Sequence, residues 1–416
     1  MKFYLNNLII IVLSLLLSGC SVFESSSALL APPELPGQKA ELKKALSKYI
    51  PDNAKLLTPL NSEQHNNPIL LVDLDDDHLE EAVVFYKSRQ KPSLAEGVIL
   101  KKKDGEWEKI ADISGEGTVL HDLQLADFNG DGKKEIIAGF AYSEEAEDKG
   151  LLVFDLFSKK EPVLLLNEAY SYFLVDQFSD TNEVELVLIN HNREQSNTIS
   201  LYHFAQDQLK PLDQLELDPF INGYYKIQSG YISPNQKGLM FDVGVGAHSA
   251  ATFVISVNEG RLFNVFPHID LATFKASTSE SKDTNGDGIL EYAILEEPYM
   301  DEPLAYVDTP YITTYYQLNH DWEPEAIARN YINYQYRYRL NLPFEWGKVK
   351  IIVSHNEHQV EIIQAETDEV LFDIHITDKV TLPVDNWVKL GETSSYNYWT
   401  KTKDRSRWNL FEIIQK

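Results

Sequence analysis

Asp127-Phe128-Asn129-Gly130-Asp131-Gly132-Lys133-Lys134-Glu135, followed at once by Ile136-Ile137-Ala138, is the stretch that decides the fold of this 416-residue chain. Acidic or amide residues stand at loop positions 1, 3 and 5, a glutamate stands at position 9, and an apolar strand follows. The same pattern returns as Asp283-Thr284-Asn285-Gly286-Asp287-Gly288-Ile289-Leu290-Glu291 before Tyr292-Ala293-Ile294. A third version begins at Asp73 and runs through Asp75 and Asp77 to Glu81, before Ala82-Val83-Val84. Two degenerate copies fill the interval. One begins at Asp176, keeps Asp180, and has Phe178 at position 3 and Val184 at position 9; the other, around Gly230 to Asp242, keeps only a turn and a strand. The five starts fall at 73, 127, 176, 230 and 283, spaced by 54, 49, 54 and 53 residues. Regular self-similarity on this scale marks a repeat architecture.

Between the loops lie short apolar or alternating runs separated by turn residues, the pattern of strands. Gly97 to Leu100 is matched to Trp107 to Ile113, and Leu151 to Phe157 to Val163 to Leu166. Ile199 to Phe204, Ala251 to Val257 and Tyr311 to Leu318 begin further hairpins. Each repeat thus offers about four strands, the content of one propeller blade. The expected fold is mostly β: a β-propeller of about five four-stranded blades over residues 51–330, then a small C-terminal α+β or β domain over 331–416. A linear solenoid is the competing arrangement, and a closed ring has the advantage of hiding both terminal edges.

The two intact loops resemble those of FG-GAP (VCBS-type) repeats, as found in integrin-α-like propellers, over residues from about 55 to 330. That resemblance implies calcium in the blade loops and a role in adhesion or ligand binding rather than catalysis.

The residues point to calcium on their own terms. The ion takes six to eight oxygen ligands, and a wrapped loop delivers them from alternate positions. The second loop offers Asp127, Asn129, Asp131 and Glu135, with the carbonyl of Lys133. The fifth offers Asp283, Asn285, Asp287 and Glu291, with the carbonyl of Ile289. Gly130, Gly132, Gly286 and Gly288 permit the positive φ that sharp wrapping needs. The first loop supplies Asp73, Asp75, Asp77 and Glu81, with His78 in place of the second glycine, and is also expected to bind calcium. The third and fourth loops are expected to be metal-free.

The chain's start carries an address. Lys2 precedes an apolar run from Leu8 to Leu17, too short for a bilayer span of about twenty residues, and reads as a signal peptide over residues 1–19. Leu17-Ser18-Gly19-Cys20 resembles the lipobox of bacterial lipoproteins, which implies diacylation of Cys20. Residues 20–50 then read as a lipidated tether, Ser- and Pro-rich at first, ending in a short helix from Lys39 to Tyr49 with Leu42, Leu46 and Tyr49 on one face. Cys20 is the only cysteine, which excludes an intrachain disulfide. With 64 acidic against 37 basic residues the net charge is −27, which repels nucleic acid and favours cations.

The expected role is therefore that of an exported, membrane-anchored, non-enzymatic protein that binds a protein or glycan of the cell envelope or supports an envelope assembly. Two alternatives stand beside it. One is an envelope glycan hydrolase or lyase on the same scaffold, because fold does not dictate function. The other is a sensor acting through the C-terminal domain. Asp242 to Ala251, with His248 and Ser249, is the one stretch with the residue types of a hydrolase, and it reads more simply as a Gly-rich turn. Tyr331, Tyr334, Tyr336 and Tyr338 read as packing residues.

Overall fold

The computed structural model describes residues 37–61, 67–179, 183–354, 357–381 and 386–414. The signal segment, Cys20 and Asp180 lie outside them. The described residues are mostly β, with six antiparallel sheets.

Each of the first four sheets is an up-and-down meander of consecutive strands. The first holds Ile69–Val72, Glu81–Lys87, Leu94–Lys103 and Glu106–Glu116, with the short Lys55–Leu56 pairing beside Ile69–Val72 on Glu81–Lys87. The second holds Val119–Ala126, Glu135–Ala141, Lys149–Asp155 and Val163–Tyr170. The third holds Tyr172–Asp176, Glu185–Asn192, Ser196–Ala205 and Gln208–Glu216, and the fourth Gly223–Ser233, Gln236–Gly244, Ala250–Asn258 and Arg261–Asn264. In these sheets the second strand is buried on both faces, as in Glu135–Ala141, and so reads as a continuous apolar run rather than an alternating one.

The fifth sheet departs from this plan. Its first strand is reduced to one bridge between Lys282 and Glu291, and Tyr292–Glu296, Ile312–Leu318, Pro324–Asn333 and Tyr338–Asn341 follow. The chain's end, Phe411–Ile413, returns to pair with Tyr338–Asn341. Residue 331, the expected start of the C-terminal domain, thus falls inside a strand of the fifth sheet. Three of the four tyrosines there are buried, Tyr331, Tyr336 and Tyr338, whereas Tyr334 is exposed. The sixth sheet, over 349–400, is built among the described residues of strands without an α-helix and orders them Val349–Val353, Gln359–Gln364, Val370–Asp378, Tyr396–Thr400, Val388–Glu392.

The sheets stack face to face in chain order, because each presents apolar side chains on both faces. Val83, Phe85 and Ile99 of the first sheet meet Ile136, Ala138 and Phe140 of the second. Ile137, Leu151 and Val153 on the second sheet's other face meet Leu186 and Leu188 of the third. Val187 and Ile189 meet Leu239, Phe241 and Val243 of the fourth, and Met240 and Val254 meet Tyr292 of the fifth. The fifth packs through Ile312 and Tyr338 on Ile351, Ile362 and Phe372 of the sixth.

At the other end, helix α1 (Gly37–Tyr49) lays Leu42, Ala45 and Leu46 on Ala82, Val84, Val98 and Leu100. Its apolar spacing gives it one sticky face, and that face covers the side of the first sheet that has no neighbouring sheet. Among the described residues no apolar cluster joins the first sheet to the fifth or sixth.

One buried ion pair stands out between the fourth and fifth sheets. Lys275 and Asp242, both fully buried, lie 2.6 Å apart. Asp242 also accepts hydrogen bonds from Ser281 N and Oγ (2.6 Å each) and from Thr252 Oγ1 (2.7 Å). Asp242 is therefore committed to holding the 273–281 segment. His248 is exposed beside Tyr306, whereas Asp242 is fully buried.

Candidate metal centre

The five repeated segments occupy equivalent places, each joining the first and second strands of a sheet at one end of the stack. The ladders run in identical register into four of them: Val72 faces Glu81, Ala126 faces Glu135, Asp176 faces Glu185, and Lys282 faces Glu291. These glutamates are 0%, 1%, 3% and 0% exposed. Each accepts the backbone N–H seven residues earlier, that of Leu74 (2.8 Å), Phe128 (2.7 Å), Phe178 (2.8 Å) and Thr284 (2.6 Å). Such a hydrogen bond contributes about 0.5–1.5 kcal/mol when the acceptor is neutral and about 1.5–3 kcal/mol when it is charged, so the glutamate helps to clamp the loop in either state. It also seats position 2, where Leu74, Phe128 and Phe178 plug the core.

This geometry corrects the alignment of the third loop. Glu185, not Val184, is the position-9 residue, which makes Gln177 position 1 and Ser179 position 3. Asp176 is the strand residue before the loop, and its carboxylate pairs with Lys237 at 3.2 Å. Aligning on the glutamate before Leu186-Val187-Leu188, instead of on the first aspartate, reveals the register. The fourth loop is a two-residue turn, Pro234-Asn235, with Asn235 at φ 63°.

Wrapping in the second and fifth loops follows from their sequence. Asp127 accepts from Gly130 N (2.7 Å) and Gly132 N (2.9 Å), and Asp283 from Gly286 N (2.7 Å) and Gly288 N (2.9 Å). All four glycines have φ between 71° and 86°. Asp131 and Asp287 accept from Lys133 N (2.9 Å) and Ile289 N (2.8 Å). The first loop reaches the same shape without glycine: Asp76 and His78 take φ 58° and 67°, and His78 N donates to Asp73 at 2.9 Å.

Donor sets differ. In the fifth loop Asp283, Asp287 and Glu291 bring one ligand atom each within 4.8 Å of one another. Glu291 Oε1 is buried there without a hydrogen-bond partner. Burial raises the Glu291 carboxyl above the usual range, and Asp287 and Asp283 add repulsion. In the second loop Glu135 Oε1 accepts from Asn129 Nδ2 at 3.1 Å. Burial pushes Glu135 up to about 8, with Asp155, Asp127 and Asp131 adding repulsion. Crowded carboxylates of this kind are relieved by a cation.

The first loop gathers Asp73, Asp75 and Glu81 within the same 4.8 Å. It already holds a positive charge. Lys101 Nζ lies 2.5 Å from Asp75, 2.7 Å from Asp77 and 3.2 Å from Glu81. Burial by itself would lower the Lys101 ammonium, but its contacts with these three carboxylates overcome it and hold the group above the usual lysine range. A lysine twenty residues beyond the loop gave no signal in the loop's own pattern.

No family model matches the chain. No curated protein matches it either. Among solved structures it is similar to an exotype rhamnogalacturonan lyase (TM-score 0.33, 10% identity, 83% of this chain and 74% of that one). A Bacillus licheniformis rhamnogalacturonan lyase gives TM-score 0.32 at 10% identity, over 83% and 74% of the two chains. A hypothetical selenium-binding protein from Sulfolobus tokodaii gives 0.31 at 12%, over 70% and 71%. Scores this low carry no activity across. Among the described residues no helix is long and apolar enough to cross a membrane.

Proposed function

We propose that this chain is a propeller-like array of five FG-GAP/VCBS-type blades whose acidic loops take calcium. In this reading the array is exported, anchored through a lipid on Cys20, and binds a protein or glycan of the cell envelope without catalysing a reaction. The observation that carries the metal assignment is Glu291: a fully buried carboxylate with one unpartnered oxygen, aimed at Asp283 and Asp287. Asp73, Asp75 and Glu81 of the first loop have such oxygens too, but there Lys101 lies beside Asp75 and Glu81. An unpaired buried carboxylate is costly, and a hard divalent ion bound by oxygen ligands removes that cost. The second loop, with its wrapped Asp127, Asn129 and Asp131 and buried Glu135, is the other calcium site.

The metal's task is to stiffen one edge of the stack. Along that edge the loops hydrogen-bond to their neighbours, Lys134 N to Leu74 O of the first loop and Leu290 N to Tyr231 O of the strand Gly223–Ser233, both at 2.8 Å. An ion in one loop therefore steadies the next sheet as well.

Calcium titration of the metal-stripped full chain in detergent is expected to find binding at micromolar to millimolar concentrations. No binding up to ten millimolar would overturn the metal reading. Capture from envelope extracts with and without calcium tests the binding role, and cleavage of an acidic polysaccharide by the purified chain would replace that role with a lyase or hydrolase.

A further inference from the structure

The ladder places one residue of the third strand opposite each position-9 glutamate. Ala82 pairs with Leu100, Ile136 with Phe154, and Tyr292 with Tyr316. One step further along these ladders, Glu81 meets Lys101, Glu135 meets Asp155, and Glu291 meets Gln317. Side-chain contacts follow this register in the first and fifth loops: Lys101 lies 3.2 Å from Glu81, and Gln317 Nε2 donates to Asp287 at 2.9 Å. Asp155 is buried on the matching position of the second sheet and caps Phe157 N and Ser158 N at 2.9 and 3.0 Å. Three loops of nearly the same ligand pattern therefore face a cation, an anion and a neutral amide.

We propose that Lys101 is the resident cation of the first loop, holding it in the wrapped shape and excluding calcium, so that the facing residue decides which loops take metal. This rests on the calcium reading of the other two loops. An ammonium carries three donors, and Lys101 has three carboxylates within 3.2 Å: Asp75, Asp77 and Glu81. Two of these, with Asp73, form the cluster a metal would use. A divalent ion in that cluster would sit a few ångströms from a half-buried ammonium, where repulsion is screened less than in bulk water. Calcium can enter only if Lys101 swings out, and the loop loses its internal neutralisation when it does. In the second loop the same position carries Asp155, which adds negative charge. In the fifth, Gln317 adds none.

The test compares the full chain with Lys101→Met and Gln317→Lys by counting bound calcium and by melting in EDTA and in ten millimolar calcium. The unmodified chain is expected to bind two ions, Lys101→Met three and Gln317→Lys one. Lys101→Met should also melt lower than the unmodified chain in EDTA, with calcium closing the gap. Three ions in the unmodified chain, two in Lys101→Met, or a melting gap that calcium leaves unchanged would each overturn the proposal. Should Lys101→Met fail to fold, Gln317→Lys decides: loss of one ion supports the facing rule, and two ions retained overturn it. If the unmodified chain binds none, the calcium reading of the other loops falls, and the response of the Lys101→Met gap to calcium still judges Lys101.

Discussion

Glu81, Glu135, Glu185 and Glu291 do the same structural work, yet the donors around them differ. Each clamps a backbone N–H at position 2, but Glu185 heads a loop whose positions 1 and 3 are Gln177 and Ser179. Glu291→Gln is therefore expected to remove one calcium site, while Glu185→Gln leaves the stoichiometry unchanged; titration of both variants checks this. A second residue-scale expectation concerns Lys275. Removing one partner of a buried pair leaves an uncompensated charge and costs about 3–5 kcal/mol. Lys275→Met should destabilise the chain by that amount in urea denaturation, and adding Asp242→Leu should recover a large part of it. Full cost in the double variant would show that Asp242's bonds to Ser281 and Thr252 matter more than its charge.

At the scale of elements, helix α1 does for the first sheet what a neighbouring sheet does for the others. Leu42 and Leu46 are buried against Val84 and Leu100, and replacing a buried leucine by alanine costs about 2–5 kcal/mol. The Leu42→Ala/Leu46→Ala variant is expected to speed hydrogen exchange in the strand Glu81–Lys87 by at least tenfold and to leave the sixth sheet unaffected. Uniform acceleration across all sheets would instead mean that the stack opens as one unit. The helix was legible from its apolar spacing, and most strands from their apolar runs. The pairing of Phe411–Ile413 with Tyr338–Asn341 was not, because three residues carry no pattern and their partner lies about seventy positions away.

On the scale of the whole molecule, the acidic loops lie along one edge of a stack held together mainly by apolar faces. Calcium bound only by the folded chain adds stability by mass action, about 2.7 kcal/mol per site at a hundredfold excess over Kd. Calorimetry is expected to show a higher melting temperature in calcium than in EDTA, with the increment growing with the logarithm of free calcium. Identical curves in the two conditions would remove the metal from the account of stability. The net charge of −27 works in the same direction, since a chain this acidic gains from a divalent cation at its most crowded carboxylates.

Local sequence determined the mostly β fold, the fivefold recurrence, the meandering hairpins and the wrapped shape of the Gly-containing loops. These depend on residue spacing within ten or so positions, on side-chain alternation, and on the φ that glycine permits. Tertiary structure alone decided which charge faces each loop. Lys101, Asp155 and Gln317 stand 20, 20 and 26 residues beyond the glutamates they face. Strand register brings them there, and their charge falls on the cage only once the sheet has formed.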